Sequence, residues 1–217
     1  MQIHHLSENN SVLNHFLGQI RDVNIHNDSL RFRKNMERIG EIMAYEISKN
    51  LDYQAVAIPT PLGTKATHYI KNPLVICSIL RAGLTLHNGF LNYFDAAENG
   101  FISAYRHHPN NDDFFEIIVQ YQAVADINNK TVVVVDPMLA TGQSIVAVFK
   151  RLMERGTPSE IHIAVVIAAP EGIAHLETEL PDTCHLWIAA TDDHLNEHSY
   201  IVPGLGDAGD LAYGQKL

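Results

Sequence analysis

Hydrophobic residues along the chain follow two spacings, one typical of buried strands and one typical of amphipathic helices. Four runs are almost uniformly apolar, as in parallel strands whose two faces are both covered: 74–80, 131–135, 161–169 and 186–190. Between the later runs, apolar residues recur every three or four positions, which predicts helices at 145–153 and from 170 to about 180. The alternation predicts an α/β fold, with a parallel twisted sheet flanked by helices.

The first third of the chain predicts two helices and an extended arm. Apolar residues between Phe32 and Ile47 step by three or four, so a long amphipathic helix is expected, capped by Asp28 or Ser29. A shorter helix is expected at about 12–20. The segment 51–62 contains two prolines, which exclude a central ladder position and indicate an extended arm or edge strand that contacts a partner.

Two extended runs, 101–106 and 114–121, flank a polar turn at 107–113. They predict an antiparallel excursion of two strands that acts as a flap. No linker or repeat divides the sequence, so 1–217 is expected to be a single domain. Within it we expect N-terminal helices and an arm (1–72), an α/β core (73–192) and a C-terminal base-binding segment (193–217).

Composition narrows the classes of function. The chain has 217 residues, is 46% hydrophobic and carries a formal net charge of −10, which argues against binding nucleic acid or an anionic membrane surface. It has no run of 18 apolar residues, and the N-terminal MQIHHLSENN lacks the order of charges and apolar residues found in a signal peptide. A cytoplasmic location is therefore expected.

Cysteine and histidine give no sign of a protein-held metal. Cys77 and Cys184 are 107 residues apart in apolar runs, so buried free thiols are expected rather than a disulfide. The thirteen histidines show no HExxH spacing, and no CxxC pair accompanies them. Surface or loop positions are expected for most of them.

The most informative segment is TVVVVDPMLATGQS, residues 131–144, in which a buried strand leads through an acid and a Thr-Gly turn into a helix. Ligands of α/β sheets bind at the carboxyl ends of the strands, where the helix that follows presents unpaired N–H groups. Asp136 suits sugar hydroxyls, and Thr141, Ser144 and the backbone N–H groups suit a phosphate. The spacing is neither a Walker loop nor a dinucleotide fingerprint. An ordinary strand, turn and helix start remains the alternative.

Two arginines and a glycine-rich segment add to this picture. Arg81 follows the strand 74–80 at the same sheet edge as Asp136, where its guanidinium can donate two hydrogen bonds to a diphosphate. Arg106 adds positive charge beside the predicted flap. Residues 200–214, YIVPGLGDAGDLAYG, contain four Gly and two Asp. The exposed backbone groups of such a segment can pair with the edge of a flat heterocycle such as uracil and reject cytosine. The alternative for each feature taken alone is that Arg81 and Arg106 are ordinary surface residues and that 200–214 is a glycine-rich loop without a binding role.

Together these segments resemble the uracil phosphoribosyltransferase family over nearly the whole chain. The stretches that match are SILRAGL, YR, VVDPMLATGQS, AAPEG and LNEHSYIVPGLGDAGD and, more weakly, LRFRKNMERIG. Pro137 stands where the general phosphoribosyltransferase pattern has a second acid, and it points to the uracil branch. The resemblance implies a type I phosphoribosyltransferase-like fold with a C-terminal base-binding loop. It also implies an enzyme of pyrimidine salvage that converts uracil and 5-phosphoribosyl 1-diphosphate to UMP and diphosphate.

The resemblance also implies site residues, a cofactor and partners. Asp207, Arg106 and Asp136 would be catalytic, and uracil would be bound by Ile201, Gly206, Asp207 and Ala208. The sugar diphosphate would be bound by Arg81, Arg106, Asp207 and the loop Asp136, Pro137, Met138, Leu139, Ala140, Thr141, Gly142, Gln143 and Ser144. Mg²⁺ would bind through the diphosphate and not directly to the protein, which suits its preference for phosphate oxygens and water. The family forms homodimers or homotetramers, and GTP activates some members.

The sequence departs from the family pattern at several positions: Gln143 stands at a usual glycine, Thr85-Leu86 stand where Gly-Met or similar is usual, and Leu211 replaces a usual Arg or Lys. The C-terminal YGQKL stands where FGTK is common. Two other functions stay open at this point. One is a catalytically weak sensor or regulator that binds uridine nucleotides on the same fold. The other is transfer of the sugar phosphate to a different base.

Overall fold

The computed structural model describes residues 1–107 and 116–216, and of residues 106, 107 and 116 it describes the backbone alone. The helices in these ranges are α1 (Val12–Arg21), α2 (Ser29–Ser48), α3 (Gly83–Leu91), α4 (Gln143–Met153), α5 (Pro170–Glu179) and α6 (Ala208–Tyr213). The strands are β1 (Gln2–His5), β2 (Tyr53–Thr60), β3 (Gly63–Ile70), β4 (Leu74–Leu80), β5 (Glu98–His107), β6 (Glu116–Ala123), β7 (Thr131–Val135), β8 (Met138–Leu139), β9 (Glu160–Ala168), β10 (Cys184–Thr191), β11 (His194–Leu195) and β12 (Ile201–Val202).

One eight-stranded sheet organises the molecule, with the order β1-β10-β9-β7-β4-β5-β6 and with β8 paired to β9. All its pairings are parallel except the antiparallel pair of β5 and β6. The predicted parallel sheet with an antiparallel excursion is therefore confirmed. The polar turn predicted at 107–113 lies, from residue 108 onward, outside the described residues.

Strand β7 shows why its sequence is uniformly β-branched. Val132 and Val134 lie in the hydrophobic core formed with α4 and α5, whereas Val133 and Val135 lie in the core formed with α1, α2 and α3. All four side chains are at most 2% exposed. Helices cover both faces of the sheet, so a polar side chain at any of these four positions would have to be buried.

The N-terminal helices begin at residues whose side chains cap them. The Asp28 carboxylate accepts a hydrogen bond from the Arg31 backbone N–H at 3.1 Å, and α2 runs for 20 residues from that cap. Helix α1 spans nearly the predicted range. Strand β1 was not predicted, because four residues of mixed polarity at an edge carry no periodic signal; it pairs with β10 at the edge of the sheet.

The predicted extended arm is one half of a hairpin. Strands β2 and β3 pair with each other along eight residues each and form a separate two-stranded sheet. Pro59 lies near the turn, opposite Thr64. Most of the hairpin is exposed, and Leu62 at its tip is fully exposed.

Surface or loop positions are expected for most of the histidines, and His87 and His162 are exceptions, since they are 1% and 0% exposed. His87 lies in a buried polar chain, with Ser78 Oγ 2.6 Å from its Nδ1 and Asn99 Oδ1 2.7 Å from its Nε2. Trp187 donates its Nε1–H to His162 Nδ1 at 3.0 Å. Hydrogen-bond partners lower the cost of burying a polar ring, and sequence spacing does not show such partners.

The predicted buried thiols are confirmed. Cys77 and Cys184 are both free and fully buried, and burial raises the pKa of Cys77 to about 12 and that of Cys184 to about 11. Both are therefore unreactive protonated thiols at neutral pH. Among the described residues, no helix combines the length and the hydrophobicity that a membrane span requires.

Candidate active site

The loop from Asp136 to Ser144, called here the cradle loop, connects β7 to α4 and is held by backbone hydrogen bonds to β9. The Pro137 carbonyl accepts from the N–H groups of Val166 and Ile167 at 3.1 and 3.0 Å. The two residues of β8 continue the pairing with β9. Gly142 is the N-cap of α4 and has a φ of 80°, a left-handed conformation that favours glycine.

A cavity of about 560 Å³ opens at the carboxyl edge of the sheet. Its walls come from the ends of β4 and β5, the cradle loop and the C-terminal residues. The lining residues are Ile79, Leu80, Arg81, Ala82, Ala104, Tyr105, Asp136, Met138, Ser144, Tyr200, Gly206, Asp207, Ala208, Gly209 and Lys216. Four stretches that are separated in the sequence therefore meet at one site.

A smaller cavity of about 50 Å³ adjoins the first and is lined almost entirely by the cradle loop. Asp136, Met138 and Ser144 line both cavities, so the two are contiguous. The first N–H groups of α4 have no partners within the helix, and the positive end of the helix dipole lies there. The small cavity therefore suits a compact anionic group.

Asp136 is the acid between the two cavities. Desolvation raises the pKa of its carboxyl group to about 7, and the Met138 N–H, 3.3 Å from Oδ1, opposes part of that rise. A carboxyl group with this pKa changes charge near neutral pH. It can accept hydrogen bonds from sugar hydroxyls when it is ionised, and a nearby cation would favour that state.

Arg81 lies directly after β4, with its side chain 41% exposed on the wall of the large cavity. Its guanidinium donates to Asp210 Oδ1 at 3.0 Å and to the Gly214 carbonyl at 3.2 Å. Both partners belong to the C-terminal residues 193–216, called here the tail segment. Arg81 thus joins the tail segment to the sheet edge and keeps further N–H groups for an anion.

Asp207 is the N-cap of α6, and its Oδ1 accepts from the Asp210 N–H at 2.9 Å. Its other oxygen lies 3.7 Å from Lys216 Nζ. Lys216 lines the cavity but was not predicted as a site residue. It is the only Lys or Arg after Arg155 in the sequence, and that isolation was the one available signal.

The structure brings most of the predicted site residues to the two cavities. Seven line the large one: Arg81, Asp136, Met138, Ser144, Gly206, Asp207 and Ala208. Leu139, Ala140, Thr141 and Gly142 line the small one. Pro137, Gln143 and Ile201 line neither: Pro137 and Ile201 are buried, and Gln143 is exposed at the start of α4.

Three further residues lie at or near this edge of the sheet: Tyr105, Tyr200 and Arg106. Tyr105 and Tyr200 line the large cavity and were not predicted as site residues, although both lie inside stretches that carried the resemblance. Arg106 lies in β5, where its backbone pairs with Ile117. Its side chain is outside the described residues.

Comparison with known proteins shows the family to which the chain belongs. The family model described as "Uracil phosphoribosyltransferase" matches residues 7–215. A protein of that name from Porphyromonas gingivalis is 50% identical over 100% of both chains. Proteins of the same name from Staphylococcus haemolyticus and Thermococcus gammatolerans are 40% and 36% identical, over 94% and 97% of this chain and 95% and 92% of theirs.

A solved structure shows the same fold. A protein from Aquifex aeolicus superimposes with a TM-score of 0.88 at 29% sequence identity, over 98% of each chain. The match covers the N-terminal helices, the sheet and the tail segment together, so the arrangement of these parts is shared by both proteins.

Proposed function

The chain belongs to the uracil phosphoribosyltransferase family, and we propose that its cavity at the sheet edge converts uracil and 5-phosphoribosyl 1-diphosphate to UMP and diphosphate. The protein is accordingly a pentosyl-transferring enzyme of uracil salvage. The observation that carries the assignment of the site is that Arg81, the cradle loop and Gly206–Ala208 line one cavity. The relatives named above are all named as this enzyme, which favours catalysis over a sensor without turnover.

Each part of the substrates has a region of matching chemistry. The small cavity at the start of α4 receives the 5-phosphate, because unpaired backbone N–H groups favour an anion there. The Asp136 carboxylate, between the two cavities, accepts hydrogen bonds from the ribose hydroxyls. Arg81 binds the diphosphate with its fork of N–H donors. The backbone around Gly206 and Ala208 pairs with the edge of uracil.

The reaction needs no protein nucleophile. The uracil ring nitrogen N1 forms a bond to the anomeric carbon while the bond from that carbon to the diphosphate oxygen breaks. The bonding pair leaves with diphosphate, the N1 proton passes to solvent, and the configuration at the anomeric carbon is inverted. Positive charge develops on the ribose in the transition state, so the carboxylate of Asp207 favours it and Arg81 and Lys216 favour the departing anion.

Magnesium fits this site through its ligand rather than through a protein cage. Among residues 1–107 and 116–216, no group of three or more His, Cys, Asp or Glu side chains is arranged to hold a metal ion. Asp136 is the acid of the cradle loop that lines both cavities, and Mg²⁺ prefers phosphate oxygens, water and one or two carboxylates. When bound, the ion would neutralise charge on the diphosphate.

The proposal also includes an oligomeric assembly and activation by GTP, because the family resemblance implies both. The exposed hairpin of β2 and β3 supports a homodimer or homotetramer, because a two-stranded hairpin in water is only marginally stable without a further packing partner. GTP activation and the cytoplasmic location are predictions from the sequence.

The direct test is turnover by the full chain. The purified protein, uracil, 5-phosphoribosyl 1-diphosphate and Mg²⁺ should yield UMP and diphosphate in equal amounts, and the same mixture without Mg²⁺ should be far slower. Parallel reactions with cytosine, hypoxanthine and xanthine, each with and without GTP, test the base and the effector. A purine that outcompetes uracil would contradict the base assignment, and no product with any base would contradict catalysis.

A further inference from the structure

Asp192 and Arg21 form a nearly buried ion pair on the interior side of the tail segment, outside the cavity itself. Asp192 directly follows β10 and its side chain is 3% exposed; Arg21 is the last residue of α1 and its side chain is 23% exposed. The two Arg21 terminal nitrogens donate to the two carboxylate oxygens of Asp192, one of them at 2.8 Å. This bidentate geometry is the strongest that arginine makes with a carboxylate.

The same pair holds both backbone groups of Gly204. The Gly204 N–H donates to Asp192 Oδ2 at 2.9 Å, and the Gly204 carbonyl accepts from Arg21 Nη1, also at 2.9 Å. Gly204 has a φ of 65°, and a Cβ there would overlap the Ile201 carbonyl oxygen. The backbone at this position is therefore fixed by three constraints at once.

Gly204 lies two residues before Gly206, where the proposed uracil site begins, and three residues after the buried Ile201. Leu205, the next residue, is 3% exposed and packs in the core beside α6. The backbone groups that pair with the base are thus presented from a segment whose position is set by α1 and β10. Neither Asp192 nor Arg21 lines the cavity.

We infer that Asp192 and Arg21 are positioning residues for base recognition: together they fix the backbone of the tail segment that distinguishes uracil from other pyrimidines. The inference rests on the proposed uracil site. Recognition by backbone hydrogen bonds depends on placing donors and acceptors to within a fraction of an ångström. A looser segment would bind uracil more weakly and reject cytosine less strongly, while the cradle loop, anchored on β9, would bind the sugar diphosphate as before.

The test uses Asp192→Asn in the full chain. Asparagine keeps the shape but places an NH₂ group where one carboxylate oxygen accepted hydrogen bonds, so a donor then faces Arg21 or the Gly204 N–H. We expect the KM for uracil to rise about tenfold or more, and the ratio of kcat/KM for uracil over cytosine to fall. The KM for 5-phosphoribosyl 1-diphosphate and the kcat at saturating uracil should stay within about twofold.

Two companion variants make the test decisive. Arg21→Lys keeps the charge but loses the planar fork, so it should change the same constants in the same direction by a smaller factor. Asp95→Asn makes the same chemical change at an exposed aspartate outside the tail segment and both cavities, and should leave both KM values unaltered. Thermal melting of each variant reports folding, and Arg21→Lys decides by the same criteria if Asp192→Asn does not fold.

The outcomes separate this inference from the proposed function. A wild-type protein that does not use uracil contradicts the function. A wild-type protein that uses uracil, beside a folded Asp192→Asn variant with an unchanged KM for uracil and unchanged discrimination against cytosine, overturns the inference. Equal losses for both substrates would also overturn it, since they would indicate a purely structural role.

Discussion

The cradle loop and the tail segment line the same cavity but are held in place by different kinds of interaction. The cradle loop is fixed by backbone hydrogen bonds to β9, the strand next to it in the sheet. The tail segment is fixed by side chains from remote parts of the chain. Arg21 holds Gly204, Arg33 donates to the Ala212 carbonyl at 2.7 Å, and Arg81 holds Asp210.

The difference separates two ways of building a binding site. A phosphate needs several N–H groups and a dipole, which any helix start at the sheet edge supplies, so local backbone is sufficient. A heterocycle must be told apart from close analogues, which requires groups at defined positions. Here three arginines outside the tail segment supply that placement. Substitutions should therefore affect the base and the sugar diphosphate separately.

The largest effect that tests this separation is expected for Asp207→Asn. Asparagine caps helices about as well as aspartate, so the hydrogen bond to the Asp210 N–H and the fold should survive. The negative charge beside the reacting groups is lost, and kcat should fall by about 10²–10³-fold. Steady-state kinetics with both substrates saturating measures the fall, and circular dichroism checks the fold.

The matched control is Asp28→Asn, the same substitution at the N-cap of α2, where the side chain accepts from Arg31 N–H. This variant should keep the wild-type kcat. If Asp207→Asn is equally active, Asp207 acts only as a helix cap, and the tail segment contributes positioning without charge.

Arg81→Ala should produce the next largest effect, and it acts where the two regions meet. Loss of a charged hydrogen-bond donor costs about 1.5–3 kcal/mol, so the KM for 5-phosphoribosyl 1-diphosphate should rise roughly ten- to hundredfold. Because Arg81 also holds Asp210 and Gly214, a smaller rise in the KM for uracil is expected. Arg151→Ala, which removes an arginine of similar exposure that pairs with Glu154 at 2.8 Å, should change neither constant.

A selective rise in the KM for uracil alone would reverse this assignment. It would show that Arg81 serves the tail segment and not the diphosphate. Arg81→Lys then distinguishes charge from geometry, since lysine keeps the charge but cannot donate two parallel hydrogen bonds.

The sequence predicted the cradle loop well because everything that builds it is local. Thr131 to Val135 are buried on both faces of the sheet, and a uniform run of β-branched residues is typical of such a strand. Asp136 and Gly142 then follow at fixed distances along one connection. The order of strand, acid, turn and helix can therefore be recognised in one continuous segment of the sequence, without knowledge of the rest of the fold.

The sequence could not predict how the tail segment is held. Arg21 and Asp192 are 171 residues apart, and each alone is an unremarkable charged residue at the end of an element. Lys216 and Tyr200 reach the cavity only because α6 and the short strands β11 and β12 fold the chain back over the sheet edge. Likewise, His87 is buried because Ser78 and Asn99 satisfy both ring nitrogens, a contact between three elements.

The last effect is on stability rather than on kinetics, and it concerns the charge state of Asp136 in the cradle loop. Its pKa in the folded protein is raised to about 7, so the folded state binds this proton more tightly than the unfolded state does. The stability that Asp136 contributes is therefore fully present below about pH 4 and is lost as the pH rises to about 7. Above that pH both states are ionised and the difference becomes constant.

Asp136→Asn removes this titration while its side-chain oxygen can still accept from the Met138 N–H. Unfolding by urea at several pH values should show the wild-type protein losing stability relative to the variant between about pH 4 and pH 7, by at most about 1.4 kcal/mol per pH unit. Asp28→Asn should instead follow the wild-type curve. Parallel curves for wild type and Asp136→Asn would mean that the carboxylate is solvated, and the cradle loop would then recognise ribose with a group already ionised. If the difference between the two proteins changes only within this pH range and is constant above it, Asp136 titrates in this range in the free protein, and sugar hydroxyls and the accompanying cation would favour its charged form on binding.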